Sequence, residues 1–193
     1  MIKGLYATIS LLLSMLVLPG VSTAEITRTH LNSDQIKKIQ SVPAEEGFRF
    51  MVAGDTRDGD EVFRYFMGLA ERMNAAFVID VGDIVHSGAE KEYEQRLDLL
   101  EEFDIPYITA IGNHERHVAG GLERYRKIFG ELDYYFDYGG ARFVSVDNCS
   151  EKYEIRDEQI EWLDGVLDTD LIKFVFMHAP PETWLWDDSN FKT

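Results

Sequence analysis

The sequence predicts an α/β fold, and three features of the 193-residue chain favour that class. Short apolar runs, typical of strands buried on both faces, alternate with segments whose apolar residues recur at helical spacing. Four of these runs end in an Asp, an Asn or a His. After the third run the alternation stops, and two strand-like segments flank Gly139-Gly140, which predicts a hairpin. The chain is therefore expected to form a parallel β-α-β-α-β unit with right-handed crossovers, followed by antiparallel strands.

Residues 1–24 are predicted to be a secretory signal peptide. Lys3 supplies the positive start, residues 5–18 are mostly apolar, and Pro19-Gly20 interrupts that run before small residues at 22–24. The chain is therefore expected to be exported, to the periplasm or outside the cell, with no membrane span left after cleavage. An uncleaved membrane anchor is the alternative.

The predicted elements begin with an N-terminal lead-in segment over 25–47, in which Ser33 caps a short helix that ends at Gln40. A single domain follows over 48–193. Its elements are predicted, in order, as a strand over 48–53, a helix over 60–73, a strand over 77–81, a helix over 90–102, a strand over 106–111, a short helix over 122–129, hairpin strands over 134–138 and 142–146, a helix over 157–167 and a strand over 174–177. In the last helix, Ile160, Leu163 and Leu167 are expected to face inward.

The net charge of −16 at pH 7 excludes a protein that binds nucleic acid or an anionic membrane through a basic surface. It does not exclude a small phosphate ester, because binding of such a ligand depends on local charge. Cys149 is the only cysteine, so no disulfide within the chain is expected. Its thiol is expected to be either buried and inert or free for pairing with another chain.

Polar residues follow four of the predicted strands directly: Asp55, Asp83, Asn113 and His178. The carboxyl ends of parallel strands lie along one edge of a sheet, so these side chains are expected to converge. Carboxylate, amide oxygen and imidazole together suit a divalent ion such as Mn, Fe, Zn or Mg. Four unrelated turns or helix caps are the alternative explanation.

The ordered segments Gly54-Asp55, Gly82-Asp83, Gly112-Asn113-His114-Glu115 and His178 resemble the calcineurin-like metallophosphoesterase superfamily, over roughly residues 48–180. The resemblance implies a layered α/β/β/α sandwich and a centre of two divalent metal ions, with Mn, Fe or Zn expected. It also implies a small phosphate-ester substrate and a metal-bound water as the nucleophile.

The resemblance implies a role for each residue. Asp55 would bind the first metal, Asp83 would bridge both, and Asn113 and His178 would bind the second. His114 would be catalytic, since in the family it contacts the scissile phosphate and assists the leaving group. The loop residues His86 and His117 are expected to be solvated, with substrate contact as the minority alternative. Glu115 is expected to be a supporting carboxylate, not a ligand.

Two departures from the family pattern stand out. The first family motif is usually Asp-x-His, but here it is Asp55-Thr56-Arg57, and arginine cannot replace a neutral imidazole ligand. Arg57 is expected either to bind a phosphate oxygen of the substrate or to be a solvated surface residue. The family also carries Gly-His-x-His beyond the position of His178, and no His follows His178 here. The domain is therefore expected to be incomplete at its C-terminal end.

These observations favour a metal-dependent phosphoesterase. The alternatives are a non-catalytic module that binds phosphate or metal, an inactive fragment of such an enzyme, and an unrelated α/β domain. Metal content and ester hydrolysis would separate them. The sequence does not determine the substrate, the metal or the oligomeric state.

Overall fold

The computed structural model describes residues 28–149 and 154–180, so the signal peptide predicted over 1–24 lies outside the described residues. The elements in chain order are α1 (Leu31–Gln40), β1 (Met51–Ala53), α2 (Asp60–Arg72), β2 (Val78–Asp80), α3 (Glu90–Leu100), β3 (Tyr107–Thr109), a 3-10 turn (His114–Arg116), α4 (Gly121–Phe129), β4 (Tyr134–Tyr138), β5 (Ala141–Ser145), α5 (Asp157–Leu167) and β6 (Ile172–Phe176). Within the described ranges, no helix combines the length and the apolar character needed to span a bilayer.

The first sheet has the order β1-β2-β3, and both of its pairings are parallel. Its last residues lie in register, because Ala53 pairs with Asp80 and Asp80 pairs with Thr109. All three strands therefore end at the same level, and the loops that follow them leave from one edge. The predicted parallel β-α-β-α-β unit is confirmed.

The second sheet has the order β4-β5-β6. The β4–β5 pair is the predicted antiparallel hairpin, whereas β6 runs parallel to β5, with Ser145 opposite Phe176. Because of that direction, the segment after β6 leaves near the end of β5. His178 lies on that segment.

The first sheet lies between two apolar cores, because successive side chains along its strands point to opposite faces. Ile79 and Ile108 face the second sheet, and they meet an aromatic cluster that includes Phe136 and Phe143. Their neighbours face the opposite way and pack with Phe63, Met67, Ala70 and Leu99 of the helices α2 and α3. Each large apolar side chain buried in this way contributes roughly 1.5–3 kcal/mol.

On the outer face of the second sheet, Val144 packs with Val166 of α5. The order of layers is therefore helices, sheet, sheet, helix, which is the predicted α/β/β/α sandwich.

Helix α1 closes the free side of β3. The side chain of Asn32 is buried; it donates to the carbonyl of Thr109 at 2.8 Å and accepts from the Thr109 N–H at 3.0 Å. Asn32 thereby supplies the acceptor for the Thr109 N–H at the edge of the first sheet, whereas the Thr109 carbonyl also accepts the hydroxyls of Tyr125 and Tyr134.

Three local predictions are wrong. The strands of the first sheet have only three residues each, because the parallel ladder starts at Met51 opposite Val78 and ends where the loops begin. Ser33 lies inside α1, which starts at Leu31, and its hydroxyl donates back to the carbonyl of His30. Ile160 is exposed, and Gln159 takes the inward position with hydrogen bonds to Asp133 and to the Asp147 carbonyl.

Candidate metal centre

The loops after β1 and β2 place Asp55 and Asp83 at the carboxyl edge of the first sheet. Both residues have a left-handed backbone, with φ of 54° and 60°. A non-glycine residue in this region is uncommon and costs free energy, so such residues cluster at functional sites. Backbone hydrogen bonds join the two loops, from Asp55 N–H to the Gly82 carbonyl and from Arg57 N–H to the Asp83 carbonyl, both at 3.0 Å.

Glycine at positions 82 and 112 allows the second and third loops to touch backbone to backbone. A Cβ atom on Gly82 would lie 2.6 Å from the nitrogen of Gly112. A Cβ atom on Gly112 would meet the side-chain oxygen Oδ1 of Asp83. The glycine before each polar residue therefore brings the loops close enough for their side chains to converge.

The two carboxylate oxygens of Asp83 face different groups. Oδ1 accepts the backbone N–H of His114 at 2.9 Å and lies 3.5 Å from His178 Nε2. Oδ2 lies 2.5 Å from Arg57 Nη1 and 3.7 Å from His114 Nε2. The side chain is only 2% exposed, so this charge is held inside the site. One carboxylate thus presents an oxygen to each half of the site.

His178 and Asn113 form the half of the site that Asp83 Oδ1 faces. His178 Nδ1 lies 3.0 Å from the carbonyl of Val81, so this nitrogen carries a proton and donates it. In the neutral ring, Nε2 then has a free lone pair, yet it lies 3.1 Å from the Asn113 oxygen Oδ1. A lone pair of Nε2 and the amide oxygen at this distance are suited to bind one cation together. A carbonyl that orients an imidazole in this way is typical of metal-binding histidines.

The donor atoms present fit one divalent cation. Ligand atoms of Asp55, Asp83 and His178 all lie within 4.8 Å of one another, and the Asn113 oxygen is adjacent to His178 Nε2. Carboxylate, amide and imidazole are the donors that Mn, Fe and Zn accept. The structure therefore brings together the four residues predicted from the strand ends.

Arg57 occupies the other half of the site. Its Nη1 lies 2.8 Å from Asp55 Oδ1 and 2.5 Å from Asp83 Oδ2. The side chain is 26% exposed, so part of the guanidinium is accessible while Nη1 is paired with both carboxylates. Burial lowers the pKa of Arg57, but the hydrogen bond to Asp55 and the charge of Asp83 outweigh that effect, so the pKa lies above its ordinary value.

Three histidines line the open side of the site. His114 Nδ1 donates to the carbonyl of His86 at 2.5 Å, which leaves its Nε2 directed toward Asp83 Oδ2. The His86 ring pairs with Asp58 at 2.9 Å, and the His117 ring lies 4.2 Å from the His114 ring. His117 Nε2 also lies 3.4 Å from the amide nitrogen of Asn113, which leaves the Asn113 oxygen on the side of His178.

Glu115 holds the loops from below. It is fully buried, and its carboxylate accepts four backbone N–H groups: Asp83 at 2.9 Å, Ile84 at 2.8 Å, Val85 at 3.2 Å and Gly112 at 2.6 Å. Burial raises the pKa of Glu115, and these N–H groups oppose that rise. Glu115 therefore supports the loops from inside the protein, and its carboxylate faces backbone N–H groups.

Sequence reasoning missed two buried charged residues that hold the first loop. Arg96 of α3 donates to the carbonyls of Ile84 at 2.9 Å and Thr56 at 2.6 Å. Asp80 accepts the Thr56 hydroxyl at 2.7 Å, and burial raises its pKa. A signal for Arg96 was present, because its spacing from Tyr93 places a charge on the inner face of the helix.

Asn148 is buried and holds the segment that carries His178, because its amide donates to the Ala179 carbonyl at 2.7 Å and accepts the Ala179 N–H at 3.1 Å. Cys149, next to it, is half-buried, and burial raises the pKa of its thiol to about 12.

Two cavities border the site on the side of Arg57. A cavity of about 980 Å³ is lined by Arg57, Asp58, His86 and Arg96, among others. A second cavity of about 460 Å³ is lined by Asp55 and Arg57 with residues of β1 and α2. The guanidinium of Arg57 therefore borders the space that a small ligand would enter.

Comparisons with known proteins agree with this fold. The sequence model of the calcineurin-like phosphoesterase family matches residues 48–192. A glycerophosphodiester phosphodiesterase, GpdQ, of Enterobacter lignolyticus is 29% identical over 170 residues, which cover 82% of this chain and 56% of the relative. The purple acid phosphatase PPD1 of yellow lupin (Lupinus luteus) has a similar fold, with a TM-score of 0.50 at 19% identity. That match covers 67% of this chain and 29% of the lupin chain, so this chain spans little more than half of one relative and less than a third of the other.

Proposed function

Because the chain belongs to the calcineurin-like phosphoesterase family, we propose that it hydrolyses a small phosphate ester with the help of a divalent metal ion. The observation that supports this most is the convergence of Asp55, Asp83 and His178, whose ligand atoms lie within 4.8 Å of one another. The left-handed backbone of both aspartates adds support, since strained residues persist where function needs them.

Asp83 Oδ1, Asn113 Oδ1 and His178 Nε2 would hold the metal, with Asp55 beside them. When bound, a divalent ion polarises the phosphate and lowers the pKa of a water that it coordinates. The two-metal centre implied by the family resemblance would need a further ion between Asp55 and Asp83. Both carboxylates are already paired with Arg57 there.

His114 would act on the leaving group. Because the His86 carbonyl accepts the proton of Nδ1, the other ring nitrogen is free to carry a second proton and give it to the departing oxygen. The Nε2 atom lies 3.7 Å from Asp83 Oδ2, so it faces the proposed metal ligands. Its side chain is 19% exposed, which leaves access from the open side of the site.

Arg57 would contact a phosphate oxygen of the ester. It borders both cavities next to the site, and a guanidinium binds phosphate more strongly than a neutral donor does. The relative GpdQ is a phosphodiesterase, which supports a phosphodiester as the first substrate to test.

The experiment compares hydrolysis of bis(4-nitrophenyl) phosphate and 4-nitrophenyl phosphate by the purified chain, with Mn²⁺ and after metal removal by EDTA. We expect Mn²⁺-dependent release of nitrophenol, lost in His178→Ala. His30→Asn is the matched control, because His30 is exposed at the start of α1 and Asn tolerates its left-handed backbone. Hydrolysis that is absent, or that is unaffected by EDTA and by His178→Ala, would overturn the proposal.

A module that binds metal or phosphate without turnover is the second candidate. The pairing of Arg57 with Asp55 Oδ1 and Asp83 Oδ2 favours it, because a second metal ion would need those two oxygens. It would bind Mn²⁺ through His178 yet release no nitrophenol from either ester.

We also propose that the chain is exported, on the basis of its N-terminal apolar segment. A periplasmic or extracellular fraction that contains the chain without residues 1–24 would support this. Retention of the full-length chain in the cytoplasm would contradict it.

A further inference from the structure

The geometry points to Arg57 as a built-in cation that takes the place of one metal ion, an inference that rests on the proposed function. Its Nη1 lies 2.8 Å from Asp55 Oδ1 and 2.5 Å from Asp83 Oδ2. The family resemblance places the first metal between these same two carboxylates. Since both are already paired with a guanidinium, this half of the site does not fit a metal ion, whereas the half with Asn113 and His178 does.

The backbone holds Arg57 in this position. Its N–H donates to the carbonyl of Asp83 at 3.0 Å, so the residue that carries the guanidinium is attached to the loop that carries the carboxylate. Arg96 fixes the preceding residue through the carbonyl of Thr56. A guanidinium stays protonated at every pH at which the protein is folded, so this positive charge is permanent.

The replacement changes what the site can do. A guanidinium carries one positive charge where a divalent ion carries two, and it coordinates no water. It can still bind phosphate, because Nε and Nη2 of Arg57 make no hydrogen bond to other residues within 28–149 and 154–180. The centre would then consist of one metal ion on the Oδ1 side of Asp83 and one organic cation on the Oδ2 side.

The test counts bound metal and does not depend on activity. Equilibrium dialysis against Mn²⁺, followed by metal analysis, gives the number of ions per chain for the wild type, Arg57→His and Arg57→Lys. Arg57→His removes the permanent cation and supplies a neutral imidazole, whereas Arg57→Lys keeps one positive charge. Arg142→Ala is the control for loss of a paired arginine outside the site, because Arg142 binds both carboxylate oxygens of Asp137 on the hairpin. Far-UV circular dichroism establishes that each variant is folded.

We expect one Mn²⁺ per chain in the wild type, Arg57→Lys and Arg142→Ala, and two in Arg57→His. Addition of Mn²⁺ should also raise the melting temperature of Arg57→His more than that of the wild type, because the ion replaces a lost cation.

Two ions in the wild type, or one in a folded Arg57→His, would overturn the inference while leaving the proposed metal site intact. No bound Mn²⁺ in any of the four proteins would overturn the proposed metal site and the inference with it. If Arg57→His does not fold, Arg57→Ala replaces it, with the second ion expected at higher Mn²⁺ concentration.

Discussion

The buried carboxylate of Glu115 lies directly beneath Asp83 and accepts its backbone N–H at 2.9 Å. Asp83 has a left-handed backbone, a conformation that the surrounding structure must hold in place. Glu115 does so by binding the N–H groups of Asp83 and the two residues that follow it. The acidic residue next to Asn113-His114 thus orients the backbone of the proposed metal ligand.

Glu115→Gln should destabilise the protein, because the amide NH2 would face backbone N–H groups that need an acceptor. A buried donor left without a partner costs about 1–3 kcal/mol. Urea unfolding measures this, with Glu102→Gln as the control, since Glu102 pairs with Arg64 at the surface and such pairs are worth at most about 1 kcal/mol. Equal midpoints for the two variants would show that the buried carboxylate does not stabilise the loops.

Asp83→Asn should abolish Mn²⁺-dependent hydrolysis while the fold survives. Asn tolerates the left-handed backbone, but the side chain loses the charge that faces both His178 and Arg57. Loss of a residue that supports a metal ligand already lowers affinity or activity by about 10–100-fold, so loss of the ligand itself should exceed 100-fold.

The assay for this variant is diester hydrolysis, with circular dichroism to establish folding. Asp58→Asn is the matched control, because Asp58 is also left-handed and pairs with His86 at the surface. Activity of a folded Asp83→Asn that equals that of Asp58→Asn would contradict the assignment of Asp83.

His114→Ala should lower turnover by about 10²–10⁴-fold and leave the bound metal unchanged, because the side chain is assigned to the leaving group. His86→Ala keeps the carbonyl that orients His114 and should have a smaller effect. A series of aryl esters with leaving groups of different acidity separates the roles, since acidic leaving groups need little protonation. A parallel loss of metal from His114→Ala would identify it as a ligand instead.

The strand ends were predictable from the sequence because each ligand candidate directly follows an apolar run. Because Ala53, Asp80 and Thr109 lie in register, the three strands end at the same level and their loops leave the sheet side by side. The parallel unit and the hairpin were predictable for the same reason, since period-2 and period-3.6 patterns are local properties of the chain. The layered sandwich was expected from the family resemblance, because the order of layers is not a local property.

The partner of Arg57 was not predictable, because no local pattern states which carboxylates a side chain reaches across two loops. Arg96 and Asp80 were missed for a related reason. Both bind Thr56, which is distant in the sequence. Arg96 lies 40 residues after Thr56 and donates to its carbonyl, and Asp80 lies 24 residues after it and accepts its hydroxyl. Ile160 was placed inward from spacing alone, but the hydrogen bonds of Gln159 set the rotation of α5.

Glu92→Gln should remove part of the acid sensitivity of the protein. Burial raises the pKa of Glu92, but hydrogen bonds from Ser87, Gly88 and Ala89 lower it more, so the net pKa lies below the ordinary value of 4.5. The stability that this group contributes is present above pH 4.5 and is lost as the pH falls through the lowered pKa.

Melting temperatures between pH 7 and pH 3 test this. The wild type should lose stability at the acid end of that range, and Glu92→Gln should lose less, starting from a lower value at pH 7. Ser87→Ala removes one donor, the hydroxyl that lies 2.9 Å from Glu92, so its loss should begin at a higher pH than in the wild type. Identical profiles for all three proteins would exclude this linkage.

Gly82→Ala should weaken Mn²⁺ binding, because the added Cβ would lie 2.6 Å from the nitrogen of Gly112 and force apart the loops that carry Asp83 and Asn113. Gly140→Ala is the matched control. Gly140 in the hairpin also has a positive φ, of 80° against 104° for Gly82, but its Cβ would meet nothing within 4 Å. Both variants carry backbone strain of roughly 1–2 kcal/mol, and only Gly82→Ala adds the collision.

We expect Gly140→Ala to lose stability with an unchanged dissociation constant for Mn²⁺. Gly82→Ala should lose more stability and bind Mn²⁺ at least about 10-fold more weakly. Equal Mn²⁺ affinities in the two folded variants would show that close contact between these loops is not what positions the metal ligands.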